Sequence, residues 1–454
     1  MAGTSVLVPG AGALKSVSPL AAAVPDPREA LAAPDVVKFA KLLAQLVVLI
    51  GVFRLFDVED AAFPLLAQLL VLGFAIHYWL PFAWKETFYI AFSLAGAFVM
   101  LPPVTAALLI AVGLGLFAIV AAPVSLRARL AAVAVVSAAL IYARATRGFG
   151  IPFEFWPVFG AIFMFRFLIY LYDAAHAKTR PRLREFLTYF FVVPNYYFLL
   201  FPVIDFQTHR QTYFRRNIHD VAQQGIAWIG RGTVQLLLYR LVYHWKSPSN
   251  APEEITTFAG LAGTMVLTYL LYLRVSGQFH IIIGFLHLFG YDLPETHRKY
   301  LLSRSLTDFW RRINIYWKDF MVKLVYFPVY FRLRKSGDVR AQVVATIVVF
   351  VVTWFFHAYQ WFWLRGDFLM AWPDTLFWAI LGGLVTVNLL LERRRPARPA
   401  ATARAAAPAA VPWYAPLELL KVAGTFCLIV TLWSLWNSPS VSEWIDLVTW
   451  WKVG

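Results

Sequence analysis

Apolar segments long enough to cross a lipid bilayer recur along this chain, and one of the most apolar of them, from Val343 to Phe356, leads directly into His357. A transmembrane helix needs about 20 predominantly apolar residues. An ionisable side chain inside such a helix is costly unless it faces a polar cavity or a partner. The sequence therefore predicts an all-α, polytopic membrane protein and makes His357 the first residue to explain.

The composition agrees with a membrane protein and excludes a soluble one. The 454 residues are 60% hydrophobic and 15% charged, whereas soluble domains average about 45–50% apolar and about 25% charged residues. The net charge of +16 comes from basic residues that cluster between apolar spans, so anionic lipid headgroups fit it better than nucleic acid, for which no motif is present. The single cysteine, Cys427, excludes an intrachain disulfide and a cysteine-based metal site.

Hydropathy in a window of about 19 residues predicts about 11 transmembrane helices. They lie near 36–56, 61–81, 88–101, 104–122, 129–143, 156–173, 224–245, 256–274, 341–364, 373–391 and 413–436. Two further apolar runs, 186–204 and 278–290, fit re-entrant or interfacial segments better, because the first contains Pro and Asn and the second is short. Basic and acidic loops alternate along nearly the whole chain, which places the N-terminus in the cytoplasm and the C-terminus outside.

The segments outside these helices are biased in composition. Residues 1–35 are rich in Ala, Pro, Val and Ser and are predicted to form a disordered cytoplasmic tail. The predicted N-terminal transmembrane helices occupy 36–146. Residues 392–412 are rich in Pro, Ala and Arg and are predicted to be a flexible linker before the C-terminal transmembrane helix and tail at 413–454.

His357 is compatible with two roles. A histidine on an apolar face is often a hydrogen-bonded core residue. Within a transmembrane helix, a neutral imidazole instead suits a general base that takes a proton from a hydroxyl group. Such a base promotes direct acyl transfer without a covalent enzyme intermediate.

The segment from Thr307 to Lys318 combines aromatic and basic residues with an amide. At helical spacing Trp310, Asn314 and Trp317 share one face, and Arg311 and Lys318 share another. One interpretation is an interfacial helix with Trp and Arg at headgroup depth. The other is a cationic mouth for a phosphate-bearing donor, with Asn314 donating to a developing oxyanion.

Two other segments contain polar residues that could contribute to a functional site. Pro194 to Phe206 contains two prolines and an asparagine, so it is either the lining of a cavity or a structural re-entrant loop. His280 and His287 lie two turns apart on one helical face, but no third ligand has a suitable spacing, so we predict no metal there.

These residues together resemble the membrane-bound O-acyltransferase (MBOAT) family. The runs Gly284–Glu295 and Ser305–Asn314 are similar to the bacterial branch that O-acetylates alginate and other polysaccharides, and Trp354–Trp361 is similar to that family's Trp-His-Gly block. The similarity covers roughly residues 150–390, which makes 150–391 the expected catalytic core. The chain departs from the alginate-type pattern at Asn314, where His is usual, and at Ala358, where Gly is usual.

The resemblance implies a ring of helices around a central tunnel, with His357 as the essential base and Asn314 as the second catalytic residue. Donor binding would fall to residues of the Phe-Trp-Arg-Arg block and the His357 helix: Trp310, Arg311, Arg312, Trp317, Lys318, Trp354 and Gln360. No metal or permanently bound cofactor is expected, and acyl-CoA or another acyl thioester would be the co-substrate. Some relatives work with a periplasmic protein that relays the acyl group.

The sequence thus predicts a transferase of the bacterial inner membrane that moves a short acyl group to a hydroxyl of an envelope glycan or glycolipid. Two alternatives remain open at this stage. A lipid-linked-sugar glycosyltransferase would need a carboxylate in an early external loop, and Asp57 and Glu59 lie in one. A transporter or flippase would need a cavity accessible alternately from both sides.

Overall fold

The computed structural model of the protein describes residues 26–177, 180–246, 255, 257–394, 415–449 and 451. These residues are helical throughout, apart from turns, extended connections and one isolated bridge between Tyr213 and Tyr291. The all-α prediction is confirmed. The α-helices are, in chain order, α1 (Arg28–Leu31), α2 (Val36–Leu55), α3 (Ala62–Trp79), α4 (Phe82–Met100), α5 (Pro103–Ala121), α6 (Leu126–Thr146), α7 (Phe155–Phe163), α8 (Arg166–His176), α9 (Leu183–Phe190), α10 (Phe206–Thr212), α11 (Ile218–Lys246), α12 (Phe258–Leu270), α13 (Leu273–Leu288), α14 (Leu306–Arg312), α15 (Ile315–Met321), α16 (Phe327–Leu333), α17 (Asp338–Arg365), α18 (Trp372–Arg394), α19 (Pro416–Trp436) and α20 (Val441–Val448).

Nine helical stretches among the described residues are long and apolar enough to cross a membrane, so the protein is a multi-pass membrane protein. They are Val36–Leu55, Ala62–Trp79, Pro103–Ala121, Leu126–Thr146, Phe155–His176, Phe258–Leu288, Asp338–Arg365, Trp372–Arg393 and Pro416–Trp436. Two of the predicted spans fall outside this group, at α4 and α11. Helix α4 carries Lys85 and Glu86 near its start, and α11 carries charged and amide residues along its length.

Short polar side chains set the starts of several helices. Asp35 accepts a hydrogen bond from the Lys38 amide at the start of α2, and Ser305 accepts one from the Asp308 amide at the start of α14. Each cap satisfies one of the amide groups that the first turn of a helix leaves without a partner. Gly366, with φ +96°, ends α17 in a left-handed conformation that glycine adopts without strain.

The predicted tail and linker differ from the structure where they enter the described residues. The tail was expected to be disordered through 35, but α1 lies at Arg28–Leu31 and Ala32 is buried. Helix α18 runs on to Arg394, three residues into the predicted linker. Residues 1–25 of the tail and 395–412 of the linker lie outside the described residues.

The two apolar runs expected to be re-entrant or interfacial have different structures. The 186–204 run is broken as predicted: α9 ends at Phe190, a 3₁₀ turn covers Val193–Tyr196, and extended backbone follows. The 278–290 run is part of a longer regular helix, α13, which begins at Leu273 and is almost entirely buried. A break at Leu271 and Tyr272 separates α13 from α12, and the two helices together make one apolar stretch of 31 residues.

Helices α11 and α13 pack closely because glycines face each other at two levels. A Cβ atom on Gly225 would lie 2.6 Å from the carbonyl oxygen of Gly284, and one on Gly232 would lie 2.5 Å from that of Gly277. Small residues at such a crossing let two backbones approach within van der Waals contact, which is how membrane helices gain packing energy.

The region from 292 to 337 forms a set of short helices instead of a span. Helix α15 is continued by a π-helical turn at Val322–Tyr326 and then by α16. Trp317, Phe320 and Met321 of α15 are buried, so this helix belongs to the core.

Candidate active site

His357 lies on α17, eight residues before the end of that helix at Arg365. Its Nδ1 lies 2.8 Å from the carbonyl oxygen of Thr353, one turn earlier. A carbonyl oxygen only accepts hydrogen bonds, so Nδ1 must carry the proton and donate it. The Nε2 atom of the neutral ring is then left with its lone pair, which is the arrangement that a general base requires.

Three tryptophan side chains surround the imidazole, and we call them the indole cluster: Trp317, Trp378 and Trp436. Their ring centroids lie 5.9 Å, 4.6 Å and 5.6 Å from that of His357. They come from α15, α18 and α19, so four separate helices meet at the histidine. His357 itself is partly exposed, which distinguishes it from a sealed core histidine.

Asn314 joins this site through Trp317. It occupies a left-handed backbone conformation, with φ +40°, and its side-chain oxygen accepts a hydrogen bond of 3.2 Å from the Trp317 amide. Asparagine tolerates this conformation better than most residues. Because the Trp317 ring contacts His357, the two residues predicted to be catalytic have one neighbour in common.

The turn that holds Asn314 is braced by a neighbouring segment, residues 294–298. The amide of Ile315 donates to the carbonyl of Thr296 at 2.8 Å, and the hydroxyl of Tyr316 donates to the carbonyl of Pro294 at 2.7 Å. The amide of Arg298 donates to the carbonyl of Arg312 at 3.0 Å. Contacts on both sides of Asn314 therefore hold its unusual backbone conformation.

The other aromatic and amide residues predicted for the site lie at different distances from His357. Trp310 packs on Phe350, with ring centroids 4.8 Å apart, and Phe350 in turn contacts Trp378 at 6.4 Å. Trp354 and Gln360 lie three residues before and after His357 on α17, and both are partly buried. Trp354 is thus near the site by helical spacing, and Trp310 is separated from it by two rings.

The predicted cationic mouth carries less free charge than its sequence suggests. Arg312 is paired with Asp308 at 2.6 Å, and Lys318 is paired with Asp319 at 2.6 Å. Arg311 is exposed and forms no ion pair within the described part of the chain. Arg312 and Asp308 lie at the i, i+4 spacing that brings side chains together on a helix, and Lys318 pairs with the adjacent residue.

A cavity of about 280 Å³ lies beside the other face of α15. Phe320 lines it, and the ring of Phe320 lies 5.3 Å from that of Trp317. The cavity is therefore one aromatic layer from the indole cluster. Its lining residues come from the proline-broken segment, the start of α10 and the α15 region: Val203, Ile204, Asp205, Thr208, Pro294, Tyr316, Asp319, Phe320 and Lys323.

Lys323 is the main cation of this cavity, and it lies in the π-helical turn. Its Nζ bridges Asp173 at 2.7 Å and Asp205 at 2.5 Å. Burial alone lowers the pKa of Lys323, but the two carboxylates outweigh burial and raise the pKa above its ordinary value. Because Asp205 and its two predecessors line the cavity, the segment from Pro194 to Phe206 contributes to a cavity wall, one of its two predicted roles.

The sequence reasoning missed Lys323, Trp378, Trp436 and Asp374. Asp374 accepts a hydrogen bond from the indole N–H of Trp436 at 2.5 Å and so orients that ring. The only sequence signal was the i, i+4 spacing of Asp374 and Trp378 on α18, which brings them to one helical face.

No group of three or more His, Cys, Asp or Glu side chains within the described ranges could hold a metal ion. Comparison of the chain with protein-family models gave no match, and comparison with curated proteins gave none at the significance required.

Proposed function

We propose that the protein is a membrane-embedded O-acyltransferase that moves a short acyl group from a thioester donor to a hydroxyl acceptor. The observation that carries this proposal is the state of His357: Nδ1 is held by the Thr353 carbonyl, and Nε2 is left as a base in a partly open, aromatic site. A positioned histidine base contributes about 10²–10⁴-fold to the rate of such reactions.

The neighbourhood of His357 suits transfer to a bound acceptor. The indole cluster limits the access of water, which protects a thioester from hydrolysis. Asn314 is held at a fixed position relative to Trp317 by its cap and by the braced turn. Its side-chain amide nitrogen remains available to orient the donor or acceptor carbonyl, as the resemblance implies.

The cavity beside α15 is our candidate for the donor's path. The carboxylates of Asp205 and Asp319 line it together with Lys323, and this balance of charge is unfavourable for a phosphate deep inside. The cavity instead suits the neutral, amide-bearing arm that carries the thioester in acyl-CoA. The phosphates would then lie outside the cavity, where the exposed side chain of Arg311 and other surface cations are available.

The acceptor would approach from the end of α17 that is nearer to His357, which is the external end in the topology predicted from the loop charges. We propose an envelope glycan or glycolipid as acceptor, and the bacterial inner membrane, with the N-terminus in the cytoplasm, as the location. A periplasmic protein that relays the acyl group is compatible with this arrangement. The donor cavity and the acceptor side would together form the tunnel that the family resemblance implies.

The contacts of Glu59 count against it as the catalytic carboxylate of a glycosyltransferase, whereas Asp57 is exposed and its carboxylate forms no ion pair within the described residues. The Glu59 side chain is only 7% exposed and pairs with Arg274 at 3.1 Å, and it accepts a hydrogen bond from Gln278 at 2.8 Å. Asp60 accepts a hydrogen bond from Tyr197. A carboxylate that acts as a catalytic base or binds a metal must be free to do so, and Glu59 is engaged in holding helices together.

The direct test is the ester content of envelope glycans and lipids, measured by mass spectrometry in cells that make the wild-type protein, His357→Ala or Asn314→Ala at matched membrane levels. We expect an acyl ester that is present with the wild type to be lost with His357→Ala and strongly reduced with Asn314→Ala. The mass difference would identify the acyl group. If every ester persists in both variants, the proposed function is wrong.

A matched control uses another histidine in an apolar helix. His287→Ala changes the same residue type in α13, whose side chain is fully buried. The ester should remain with this variant once the signal is normalised to folded protein. A loss as large as that of His357→Ala would show that any buried-histidine change disrupts the molecule.

A further inference from the structure

The indole cluster contains two N–H groups without a hydrogen-bond partner. The N–H of Trp436 donates to Asp374. The Nε1 atoms of Trp317 and Trp378 are shielded from solvent and have no partner within the described residues. The two side chains are only 9% and 7% exposed, so more than nine-tenths of each is buried.

An unpaired donor in such a place is unfavourable for the folded protein. Leaving a buried N–H without an acceptor costs about 1–3 kcal/mol, and a native protein retains few such groups. In the described part of the chain, three other shielded indoles also have unpaired N–H groups: Trp228, Trp354 and Trp363. Of these, Trp228 stacks on His280 and Trp363 packs on Trp156, away from His357.

Trp317 and Trp378 differ from these indoles because both of their rings contact the imidazole of His357. Trp317 lies on α15 and Trp378 lies on α18. Each of these two rings beside His357 therefore carries a hydrogen-bond donor that no acceptor among the described residues uses. The charge that develops during acyl transfer is an oxyanion on the acyl carbonyl. Fixed donors in a water-poor site stabilise such an oxyanion effectively, because they need no reorganisation when the charge appears.

We propose that the indole N–H groups of Trp317 and Trp378 form the oxyanion-binding site of this enzyme. This inference deepens the proposed function and rests on it. The acceptor hydroxyl gives its proton to Nε2 of His357 while its oxygen bonds to the thioester carbonyl carbon, and the displaced electron pair moves to the carbonyl oxygen. The two indoles donate to that oxyanion. The carbonyl then re-forms, the C–S bond breaks, and the leaving thiolate takes the proton back from the imidazolium, which gives an ester and a free thiol.

The cluster supplies its own control, because Trp436 is the one of the three indoles whose N–H is already used. Replacing Trp by Phe removes the N–H and keeps an aromatic ring. If the indoles act through their N–H groups, Trp317→Phe and Trp378→Phe should impair catalysis while Trp436→Phe should not do so to the same degree. If they act only as apolar walls, all three changes should have similar effects.

The experiment uses membrane vesicles from cells that make the full chain, which contain the native acceptor, with radiolabelled acetyl-CoA as donor. Label in the envelope fraction is measured against donor concentration at matched amounts of folded protein. We expect Trp317→Phe and Trp378→Phe each to lower Vmax by about 10²-fold, the range for loss of one oxyanion donor. The KM for acetyl-CoA should stay within about threefold, since an interaction made only in the transition state does not affect ground-state binding.

The outcomes separate the two proposals. If the wild type transfers no more label than His357→Ala, the proposed function fails, and the oxyanion assignment fails with it. If the wild type is active and the three Phe variants lose activity equally, or raise KM instead of lowering Vmax, the oxyanion assignment alone is overturned. Should a Phe variant fail to fold, β-(3-benzothienyl)alanine at the same position replaces N–H by sulfur and keeps both fused rings. The same loss of Vmax is expected there, and full activity would contradict the proposal.

Discussion

Helices α13 and α17 both carry histidines in strongly apolar surroundings, and the two helices place them in different environments. The local geometry of His287 and His357 is the same: each Nδ1 donates to the carbonyl one turn earlier, at 2.6 Å and 2.8 Å. Nε2 of His287 and Nε2 of His280 are sealed from solvent, and neither has a hydrogen-bond partner among the described residues. His357 is partly exposed within the indole cluster.

This difference teaches that a histidine in an apolar helix is not by itself a site. The backbone contact to Nδ1 is a property of helix geometry and is available to a histidine at many positions. Function depends on what the second nitrogen faces, and that is decided by the neighbouring helices. Helix α13 faces the glycines of α11, which leave no space, whereas α17 faces large aromatic side chains that leave an opening.

Of the substitutions in the two helices, His357→Ala should have the largest effect on acyl transfer. Loss of the base should lower acyl transfer by about 10²–10⁴-fold, measured as label transferred from acetyl-CoA in vesicles. The thermal stability of the purified protein should change little, because a partly exposed ring is removed. A variant that loses its stability together with its activity would place His357 with the structural histidines of α13.

On the α13 side, the largest effect should come from Gly232→Ala. Its new Cβ would lie 2.5 Å from the Gly277 carbonyl oxygen and 2.7 Å from the Ile281 side chain, so α11 and α13 must move apart. Such overpacking costs about 1–3 kcal/mol of unfolding free energy, to be measured by thermal unfolding in detergent.

The control for this change lies two residues away on the same helix. A Cβ on Gly230 would meet nothing within 4 Å, and alanine is favoured over glycine in a helix by about 0.5–1 kcal/mol. Gly230→Ala should therefore keep or slightly raise the stability. Equal destabilisation by both changes would mean that the close crossing does not determine the stability.

Helix α17 and its histidine could be predicted from the sequence, whereas the side chains that surround His357 could not. The long apolar run and the lone histidine are local signals, and so is the asparagine that caps α15. Trp378 and Trp436 belong to later helices, and only the packing of α17 against α18 and α19 brings their rings to His357. No periodicity within one helix encodes such a contact, so the indole cluster could not be predicted from a single sequence.

The 278–290 segment shows the opposite case, in which a sequence rule was applied too narrowly. Its apolar run was too short for a span, so a re-entrant or interfacial segment was expected. The structure continues the helix back to Leu273, through Arg274 and the polar Ser276 and Gln278. Arg274 and Gln278 are accommodated because Glu59 binds both, and a partner so distant in sequence does not register in a hydropathy window.

Acidification should weaken an ion-pair cluster that lies just after the end of α13. Asp292 is clamped by Arg215 and Arg216 at 2.7 Å and 2.5 Å. Burial raises the pKa of Asp292, but hydrogen bonds from the two arginines outweigh burial and leave the pKa below its ordinary value. A lowered pKa stabilises the fold above the pKa of the unfolded chain, near 4, and this contribution is lost as the pH falls through the folded-state value.

We therefore expect the thermal stability to fall as the pH is lowered below about 4, and Asp292→Asn to remove this part of the pH dependence. At neutral pH the variant should lose about 1–2 kcal/mol, less than a fully buried pair would, because both arginines are largely exposed. Parallel stability curves for the wild type and Asp292→Asn would contradict the assignment.

The smallest effect on stability and on acyl transfer is expected from His287→Leu. The change removes an Nε2 atom that is sealed from solvent and has no partner among the described residues. It replaces the imidazole by an apolar side chain of similar bulk. The free energy of unfolding should therefore change by no more than about 1.5 kcal/mol in either direction. Acyl transfer per folded molecule should be unchanged, as measured in the same vesicles as His357→Ala. A large loss of acyl transfer without a loss of stability would mean that α13 takes part in the chemistry. The difference in exposure between His287 and His357 would then not identify the active site.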